Sequence, residues 1–368
     1  MIRVPYNLKT NLPPMVLPSS ATTLASAITA ATNFMNPATG RTALITGAGV
    51  SVESGIPDYR GPTGTYTVNK SHRPIFYSEF IDSHRIRQRY WARSFLGWEA
   101  IRRAQPNRVH KYVGDLYRSG WLSSVITQNV DSLHSAYVDD VTELHGTLAS
   151  AVCLTCDTHL ERHELQLRLA ELNPDWDGLL QEELERLEKY HSIADPIKDF
   201  RLNPDGDLEL PSTIRYDNFK YPTCPCCADN GLAQSENDGS WSEENIGVHL
   251  SNSARKVKDV GVLKPDVVFF GESVSEYVKR EAERKLSEAS KILVVASSLA
   301  TYSAFRLIKE NKALGKRIGI INVGLVRGEH ELLGEGDLRV SFVAGDVLGG
   351  VAASATSVSD IERVSSML

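Results

Sequence analysis

Two pairs of cysteines constrain the fold of this chain more than any other feature of its sequence. Cys153 and Cys156 are separated by two residues, and Cys224 and Cys227 have the same spacing. This spacing is typical of structural zinc knuckles, in which four thiolates close a tetrahedral site. All five cysteines lie within residues 153–227, which favours a metal site over a disulfide framework. The sequence therefore predicts one structural Zn²⁺ ion, and an ion with four sulfur ligands is not catalytic.

Short apolar runs alternate with amphipathic segments on both sides of the cysteine block. The strand-like runs are 42–46, 122–127, 267–270, 292–295, 318–321 and 338–342, and the helical segments are about 22–34, 75–118, 161–191, 275–290 and 302–314. Alternating strands and helices are typical of a parallel sheet covered by helices. We therefore expect an α/β fold, a Rossmann-like parallel sheet domain with an inserted small zinc-ribbon and helical module.

This pattern predicts five parts along the chain. They are a flexible N-terminal tail or weak transit peptide (1–18), a Rossmann-like domain (19–60, 116–147 and 262–353), a helical module of the small domain (61–115), a zinc-binding module with insertions (148–261), and a C-terminal tail (354–368). The insertions, 157–223 and 228–261, have no role that the sequence reveals.

Composition argues against several classes of protein. The net charge is −6 at pH 7 and there is no long basic run, which argues against an obligate nucleic-acid partner. No apolar run reaches the roughly 18–20 residues that span a bilayer, so we expect no membrane association. The oligomeric state stays open, and a monomer is compatible with the sequence.

The loop after the first strand-like run begins Gly47-Ala48-Gly49-Val50-Ser51. Glycines one residue apart at the end of a strand let backbone amides approach a phosphate without a Cβ atom in the way. The third glycine of the dinucleotide fingerprint would fall at Val52, so the stretch does not match a hydride-transferring dehydrogenase. By itself the pattern leaves a phosphate-binding loop and an ordinary tight turn equally open.

A polar cluster, Gln128-Asn129-Val130-Asp131, follows the second strand-like run. The carboxyl end of a parallel strand is where an open α/β sheet places its ligand contacts. His145 comes shortly after this cluster and is a candidate general base near neutral pH. It is one of ten histidines, so an ordinary core or surface histidine is the alternative.

These segments occur in the same order as in the sirtuin family, which the sequence resembles from residue 41 to 347. The resemblance rests on the loop 47–60, residues 128–131, His145-Gly146, the two cysteine pairs and the segment 264–272. The segments 86–93 and 172–176 resemble the mitochondrial class II branch, which is linked to lipoamidase and ADP-ribosyltransferase activities.

The resemblance implies NAD-dependent removal of an acyl group from lysine. The acyl oxygen would displace nicotinamide at C1′, and His145 would deprotonate a ribose hydroxyl, giving lysine, nicotinamide and an O-acyl-ADP-ribose. The implied catalytic residues are His145, Asn129 and Asp131. The implied NAD contacts are Gly47, Ala48, Gly49, Ser51, Pro57, Asp58, Tyr59, Arg60, Gln128, Asn129, Val130, Asp131, Ala296, Ser297, Ser298, Asn322, Val323, Gly324 and Ala344. Ala296 replaces the usual glycine of the family, so its methyl group would crowd the adenosine ribose.

The resemblance also implies that an acylated lysine of a protein substrate binds as an extended strand. The implied contacts lie along Val268, Phe269, Phe270, Gly271 and Glu272. Tyr90 and Arg93 are three residues apart and share a helix face, where they resemble a pair that reads an acidic acyl group. We therefore expect glutaryl-like or lipoyl-like groups to be preferred over acetyl, with an ordinary surface pair as the alternative.

Function and location each have open alternatives. The same site is compatible with mono-ADP-ribosyl transfer to a protein, and an NAD-sensing scaffold without turnover is a further possibility. Residues 1–52 contain no acidic side chain, as in a mitochondrial transit peptide, but they carry few arginines. The mitochondrial matrix is therefore the expected location, with the cytoplasm and the nucleus as alternatives.

Overall fold

The computed structural model describes residues 12–61, 64–68, 73–189, 214–230 and 261–367. Its strands are β1 (Thr42–Thr46), β2 (Ser124–Thr127), β3 (Val141–Glu143), β4 (Gly146–Cys153), β5 (His159–Glu161), β6 (Leu263–Val267), β7 (Lys291–Val295), β8 (Arg317–Ile321) and β9 (Leu338–Val340). Its α-helices are α1 (Leu24–Met35), α2 (Thr65–Val68), α3 (Tyr77–Asp82), α4 (His84–Arg103), α5 (Arg108–Arg118), α6 (Arg162–Leu172), α7 (Pro174–Lys189), α8 (Pro225–Asp229), α9 (Glu276–Ser287), α10 (Tyr302–Ala313), α11 (Glu329–Leu332) and α12 (Ala344–Met367). Of the predicted insertions, residues 190–213 and 231–260 lie outside the described ranges.

The chain divides into two compact units. The first takes in the described parts of Met1–Val68, Gln105–His145 and Val274–Leu368, and the second those of Asn69–Ala104 and Gly146–Ser273. The bounds differ from those expected from the sequence at several points. Helices α2 and α5 belong to the first unit, and residues 146–147 and 262–273 belong to the second.

A six-stranded sheet in the order β3-β2-β1-β7-β8-β9 forms the centre of the first unit. All of its neighbouring strands run parallel. Strand β1 lies in the middle, with the register Ile45 to Ile126 on one side and Ile45 to Val294 on the other. Every residue of β1 is buried, which explains its uninterrupted apolar and threonine sequence.

Successive side chains of the central strands point to opposite faces of the sheet, and each face has its own apolar core. Leu44 packs in a cluster with residues of α1, α5 and α12. Ile45, one position further, packs in a cluster with residues of α9 and α10. The period of two in β1 thus matches two helical layers, as expected for a doubly covered sheet.

Within the described ranges, the two predicted terminal tails, 1–18 and 354–368, contain regular secondary structure. Leu17 pairs with Arg339 of β9, its N–H and carbonyl bonding the opposite carbonyl and N–H at 2.8 and 2.9 Å. This pairing covers part of an otherwise unpaired sheet edge. At the other end, α12 continues to Met367, so the predicted C-terminal tail 354–368 is helical as far as that residue.

The second unit combines a three-stranded antiparallel sheet, in the order β5-β4-β6, with α3, α4, α6, α7 and α8. Its core is rich in aromatic side chains, including the fully buried Trp91 and Phe95. The buried Arg162 guanidinium lies 5.8 Å from the ring centre of Trp91 and 4.8 Å from that of Trp98. A cation between two indole rings retains favourable electrostatic contacts despite its burial.

Several sequence-based boundaries are wrong: the segment 75–118 forms three helices, α3, α4 and α5, and the segment 161–191 forms two, α6 and α7, with Asn173 between them. The helical segment 75–118 is broken at Ser83, which has an extended backbone and caps the start of α4 by accepting from the N–H of Ile86 at 3.3 Å. The strand expected at 267–270 lies earlier, at β6. It ends at Val267 because Glu272 folds back, its carboxylate accepting from the N–H of Phe269 at 2.8 Å.

Two buried histidines, His110 and His134, pack against each other in the first unit, with ring centres 4.7 Å apart. The Nε2 atom of His134 lies 3.0 Å from the hydroxyl of Thr46, which in turn donates to Thr127 at 2.8 Å. Burial lowers the pKa of His134 to about 3 and also lowers that of His110. Both rings are therefore neutral in the folded protein at neutral pH.

No helix within the described ranges is both long and apolar enough to cross a membrane.

We predict that His134 makes folding sensitive to acid. Its side chain protonates near pH 6.5 in the unfolded chain but only near pH 3 when folded, so its contribution to stability is complete above pH 6.5 and is lost as the pH falls towards 3. Between pH 7 and pH 5 this loss amounts to about 2 kcal/mol. Urea unfolding at the two pH values measures it.

A His134→Gln variant should lose less stability between these pH values than the wild type. His163→Gln, at an exposed position of α6, is the control and should follow the wild type. Equal pH dependence in His134→Gln and the wild type would contradict the prediction.

Candidate active site and metal centre

The predicted nucleotide-binding residues follow the carboxyl ends of successive strands in the first unit. Gly47 follows β1, Gln128 follows β2, His145 lies two residues after β3, Ala296 follows β7, and Asn322 follows β8. Because these strands are parallel, their carboxyl ends lie along one edge of the sheet. This edge is where doubly wound sheets bind their ligands.

Ser51, Asn129 and Asp131 form a hydrogen-bonded group at this edge. The hydroxyl of Ser51 donates to the carboxylate of Asp131 at 2.6 Å, and the side-chain amide of Asn129 donates to the hydroxyl of Ser51 at 3.0 Å. The second carboxylate oxygen of Asp131 accepts from the N–H of Leu133 at 3.1 Å. These contacts fix the carboxylate and the carboxamide of residues that are 78 to 80 positions from Ser51 in the sequence.

His145 is held at both ring nitrogens. Its Nδ1 atom is 2.9 Å from the backbone carbonyl oxygen of Gln128, and its Nε2 atom is 2.8 Å from the hydroxyl oxygen of Ser303. A carbonyl oxygen only accepts hydrogen bonds, so Nδ1 carries the hydrogen and Nε2 is the proton-accepting atom. Burial lowers the pKa of His145, and the Gln128 carbonyl partly opposes this effect. The ring is thus a neutral base with one defined basic nitrogen.

The side chain of Gln128 connects three strand ends. Its amide nitrogen donates to the carbonyl of Thr46 at 3.1 Å and to the hydroxyl of Ser297 at 2.7 Å. Its amide oxygen accepts from the hydroxyl of Thr301 at 3.2 Å. These contacts fix the orientation of the carboxamide, because exchanging its nitrogen and oxygen would break them.

The loops that follow β1 and β7 approach each other closely. A Cβ atom on Gly47 would lie 2.6 Å from the Cβ atom of Ser297, and one on Gly49 would lie 2.9 Å from that of Ala296. The N–H groups of both glycines donate to backbone carbonyls of the β7 loop, Gly47 to Val295 at 3.1 Å and Gly49 to Ala296 at 3.2 Å. The two glycines are therefore needed for packing within the protein itself.

Ala296 adopts a left-handed backbone conformation with a φ of 50°. This region costs a residue with a side chain about 1–2 kcal/mol, whereas glycine adopts it freely. The methyl group of Ala296 points at the position that a side chain on Gly49 would take. The methyl group of Ala296 is therefore packed against the loop that follows β1.

Three other predicted NAD contacts, Asp58, Tyr59 and Arg60, lie in the first unit, in the loop after Pro57. In the loop after Pro57, the Asp58 carboxylate accepts from the N–H of Gly61 at 2.9 Å, and the Arg60 guanidinium stacks over the ring of Tyr66 at 5.2 Å. Tyr59 in this loop is about half exposed.

A buried arginine holds the loop after β8. Arg339 donates to the carbonyl oxygens of Asn322 at 2.9 Å and Gly324 at 2.5 Å, and it forms an ion pair with the buried Glu329. Val323 in this loop is exposed. Ala344, the first residue of α12, is buried in the apolar core.

Sequence reasoning missed two hydroxyl groups of this site, those of Thr301 and Ser303. Thr301 is the N-cap residue of α10, and Ser303 lies in the first turn of that helix. Neither residue belongs to a sequence motif with a characteristic spacing. Only a weaker pattern indicated them as site residues, namely polar side chains at the start of the helix that follows a buried strand.

In the second unit, the predicted substrate-binding residues form a compact turn after β6. The buried ammonium group of Lys264 donates to the carbonyl of Val267 at 2.6 Å and to the carboxylate of Glu272 at 3.2 Å. The rings of Tyr90 and Phe269 lie 5.3 Å apart. The structure thus brings Tyr90 next to this turn, and Arg93 lies on the same helix three residues later.

The four predicted zinc ligands come together in the second unit. The sulfur atoms of Cys153, Cys156, Cys224 and Cys227 lie within 4.8 Å of one another, with 3.7 Å between the members of each cross-pair. A tetrahedron with Zn–S bonds of about 2.3 Å has sulfur atoms about 3.8 Å apart. Both the donor atoms and their spacing therefore fit Zn²⁺. Cys226 lies outside this cluster.

Known proteins match most of the chain. The model of the Sir2 family matches residues 47–303. The NAD-dependent protein deacylase SIR4 of Batrachochytrium dendrobatidis is 42% identical over 294 residues, 79% of this chain and 83% of that protein. The NAD-dependent protein deacylase Sirt4 of Drosophila melanogaster is 33% identical over 307 residues, 83% of this chain and 80% of that protein.

Solved structures share the fold. A mutant Sir2 homologue in complex with ADP-ribose has a TM-score of 0.56 and 22% identity, over 89% of this chain and 97% of that one. A structure described under the mechanism and regulation of Sir2 enzymes has a TM-score of 0.54 and 21% identity, over 90% of this chain and 98% of that one. The predicted fold class is thereby confirmed.

We predict one zinc ion per chain, held by the four clustered thiolates. Cys224→Ser removes one ligand and should lower both the zinc content and the melting temperature of the protein. Cys226→Ser, two residues away and outside the cluster, is the matched control and should keep the full zinc content. Elemental analysis and thermal unfolding measure the two effects. A Cys226→Ser variant that loses zinc while Cys224→Ser retains it would contradict the assignment.

We also predict that Ala296→Gly stabilises the protein. Relief of the left-handed strain gains about 1–2 kcal/mol, and the greater flexibility of glycine in the unfolded chain costs about 0.5–1 kcal/mol, so the net gain is about 0.5–1 kcal/mol. Ala304→Gly, inside α10, is the control and should be destabilising. The free energy of unfolding is measured in urea. If both variants lose the same amount of stability, Ala296 is unstrained.

Proposed function

This chain belongs to the Sir2 family, and from that premise we propose that it is an NAD-dependent protein-lysine deacylase. The relatives that it matches carry the names NAD-dependent protein deacylase or deacetylase. NAD is the cosubstrate of the family, in agreement with the sequence-based expectation. The reaction is an acyl transfer from lysine to ADP-ribose with release of nicotinamide.

The observation that carries this proposal is the polar constellation at the carboxyl edge of the parallel sheet. It combines a fixed carboxamide, a fixed carboxylate and a neutral imidazole from Asn129, Asp131 and His145. Carboxamide and carboxylate groups suit an amide and the hydroxyls of a ribose, since together they offer donors and acceptors. The set therefore fits the nicotinamide half of NAD.

When bound, NAD supplies an electrophilic C1′ carbon and nicotinamide as the leaving group. Asn129 and Asp131 would orient the nicotinamide ribose through the groups that Ser51 holds in place. His145 would then accept a proton from a ribose hydroxyl at Nε2, the nitrogen that lacks a hydrogen. Burial lowers the pKa of this ring, so it is neutral at pH 7 and its lone pair is available to accept a proton.

The turn after β6 would hold the peptide that carries the acyl-lysine. Lys264 and Glu272 tie together the two ends of the segment from Val267 to Glu272, and this support favours a rigid segment for a peptide to pair with. In the same unit, Phe76 forms a parallel bridge with Phe270 and occupies one side of the segment. Both backbone groups of Phe269 bond to Glu272, so we propose that the substrate backbone pairs with the residues on either side of it, Val268 and Gly271.

We propose further that longer or acidic acyl groups are preferred over acetyl. The contact between the Tyr90 and Phe269 rings supports this, because it links the Tyr90 and Arg93 face of α4 to the substrate segment. A guanidinium binds a carboxylate through two parallel hydrogen bonds. A glutaryl group would gain such a contact. A lipoyl group has no distal carboxylate, so the proposed lipoamidase activity rests instead on the resemblance of residues 86–93 and 172–176 to the class II branch.

Mono-ADP-ribosyl transfer would use the same NAD-cleaving residues, so it stays an alternative outcome at this site.

We propose the mitochondrial matrix as the location. Its support is the acid-free composition of residues 1–52 together with the sequence similarity to proteins named SIR4 and Sirt4.

The acyl preference predicts a specific effect of Arg93. The kcat/KM of the wild type should be higher for a glutaryl-lysine peptide than for an acetyl-lysine peptide. Arg93→Gln should lower the value for the glutaryl peptide about tenfold or more, since a hydrogen bond to a charged group is worth about 1.5–3 kcal/mol. The value for the acetyl peptide should stay unchanged.

Arg85→Gln, at an exposed position of the same helix, is the matched control and should leave both values unchanged. A wild type that prefers acetyl, together with an Arg93→Gln variant that alters neither value, would refute the acidic-acyl proposal while leaving deacylation intact.

A further inference from the structure

Ser303 contacts the nitrogen of His145 on which the proposed chemistry depends. The hydroxyl oxygen of Ser303 lies 2.8 Å from Nε2, while Nδ1 faces the carbonyl oxygen of Gln128 at 2.9 Å. Since Nδ1 carries the hydrogen, Nε2 of the neutral ring presents a lone pair, and Ser303 donates its hydroxyl hydrogen to it. The base is thus paired with a hydroxyl before any ribose arrives.

We propose that Ser303 is a positioning residue that prepares His145 to hold a proton at Nε2, an inference that rests on the proposed role of His145 as general base. In the neutral ring the serine hydroxyl donates to Nε2. Neutral Nε2 has one lone pair, so the serine hydroxyl turns its own hydrogen away before a ribose hydroxyl donates to this nitrogen. When the ribose O–H bond then breaks and its proton bonds to Nε2, the new N–H donates to the serine oxygen, and serine neither gains nor loses an atom.

A hydroxyl group suits this task because it can both donate and accept. A methyl group in its place would leave a protonated Nε2–H in a half-buried site without this partner. Hydrogen bonds to ionised groups are about twice as strong as neutral ones, so the hydroxyl stabilises the charged ring more than the neutral one. Ser303 thereby opposes the burial that lowers the pKa of His145.

The start of α10, which carries Ser303, is bonded to the same glutamine that orients His145. Thr301, the N-cap residue of α10, donates to the side-chain oxygen of Gln128 at 3.2 Å. The backbone carbonyl of Gln128 holds Nδ1 of His145, and Ser303 holds Nε2. Gln128 therefore bonds one end of the imidazole directly, and it bonds Thr301, which the backbone of α10 places two residues before the Ser303 that bonds the other end.

Charged groups on the surrounding elements have partners of their own. The Asp131 carboxylate contacts Ser51, and that of Glu143 contacts Ser132 at 2.6 Å. On α10 and beyond it, the Arg306 guanidinium pairs with Glu283 and Glu310, and that of Arg327 stacks on the rings of Tyr302 and Phe305. A serine-to-alanine change alters none of these charges, so a difference in the titration of His145 reports the hydroxyl.

The first test needs no enzyme activity. Titration of His145 by NMR in protein with isotope-labelled histidine, free of NAD, compares the wild type with Ser303→Ala and Ser303→Thr. The His145 signal is identified by its loss in His145→Gln. We expect Ser303→Ala to lower the pKa of His145 by about 0.5–1 unit, and one unit corresponds to a tenfold change in the protonation equilibrium. Ser303→Thr, which keeps the hydroxyl, should titrate like the wild type. Identical titration of the wild type and Ser303→Ala would overturn the proposal.

The second test follows the pH dependence of kcat/KM for an acyl-lysine peptide at saturating NAD. Ser303→Ala should lower the value at pH 7 by up to about tenfold and move the acid limb to lower pH, with the KM for NAD unchanged and with rescue by Ser303→Thr. A shifted NMR titration with unaltered kcat/KM would overturn the role of Ser303 in turnover. A wild type that shows the serine-dependent titration but releases no nicotinamide would instead refute the proposed deacylase function.

Discussion

The rest of the site depends on the close approach of the loops that follow β1 and β7. Side chains on Gly47 and Gly49 would collide with Ser297 and Ala296, so no other residue type fits these two positions without moving a loop. Because the loops touch, the carboxamide of Gln128 can reach both Thr46 and Ser297. The fixed peptide of Gln128 in turn sets the tautomer of His145. Backbone packing thus determines which nitrogen is basic.

The parallel order of the strands explains how residues far apart in the sequence form one site. Strand β1 has a parallel neighbour on each side, so the ends of β2 and β7 lie next to its own end. Ser51, Asn129 and Asp131 meet there through hydrogen bonds, and each partner limits the rotation of the others. Such prior ordering lowers the cost of holding a ribose in a reactive geometry.

Sequence reasoning predicted those features that have a local signature. Strand β1 lies at the predicted residues 42–46, and the four clustered cysteines are those predicted from their spacing. The family resemblance and the fold class are confirmed. The strand and the cysteine pairs could be predicted because each has a local sequence pattern that reflects one physical requirement. For the strand this requirement is burial on both faces of the sheet, and for the cysteines it is tetrahedral coordination.

Features that depend on distant parts of the chain were not predicted. The strand expected at 267–270 lies earlier because residues Leu263–Val267 pair with β4, which lies far back in the sequence. Ser303 has no motif of its own and becomes significant only because α10 starts beside Gln128. The left-handed conformation of Ala296 follows from the position of the β1 loop. Tertiary contacts decided all three.

The identity of the products tests the central claim most directly. The wild type is incubated with NAD and an acyl-lysine peptide, His145→Gln serves as the control, and all products are analysed by mass spectrometry. The account predicts equal amounts of nicotinamide, deacylated peptide and O-acyl-ADP-ribose from the wild type and none from the control. Nicotinamide that appears with ADP-ribosylated protein, while the acyl peptide stays intact, would contradict it.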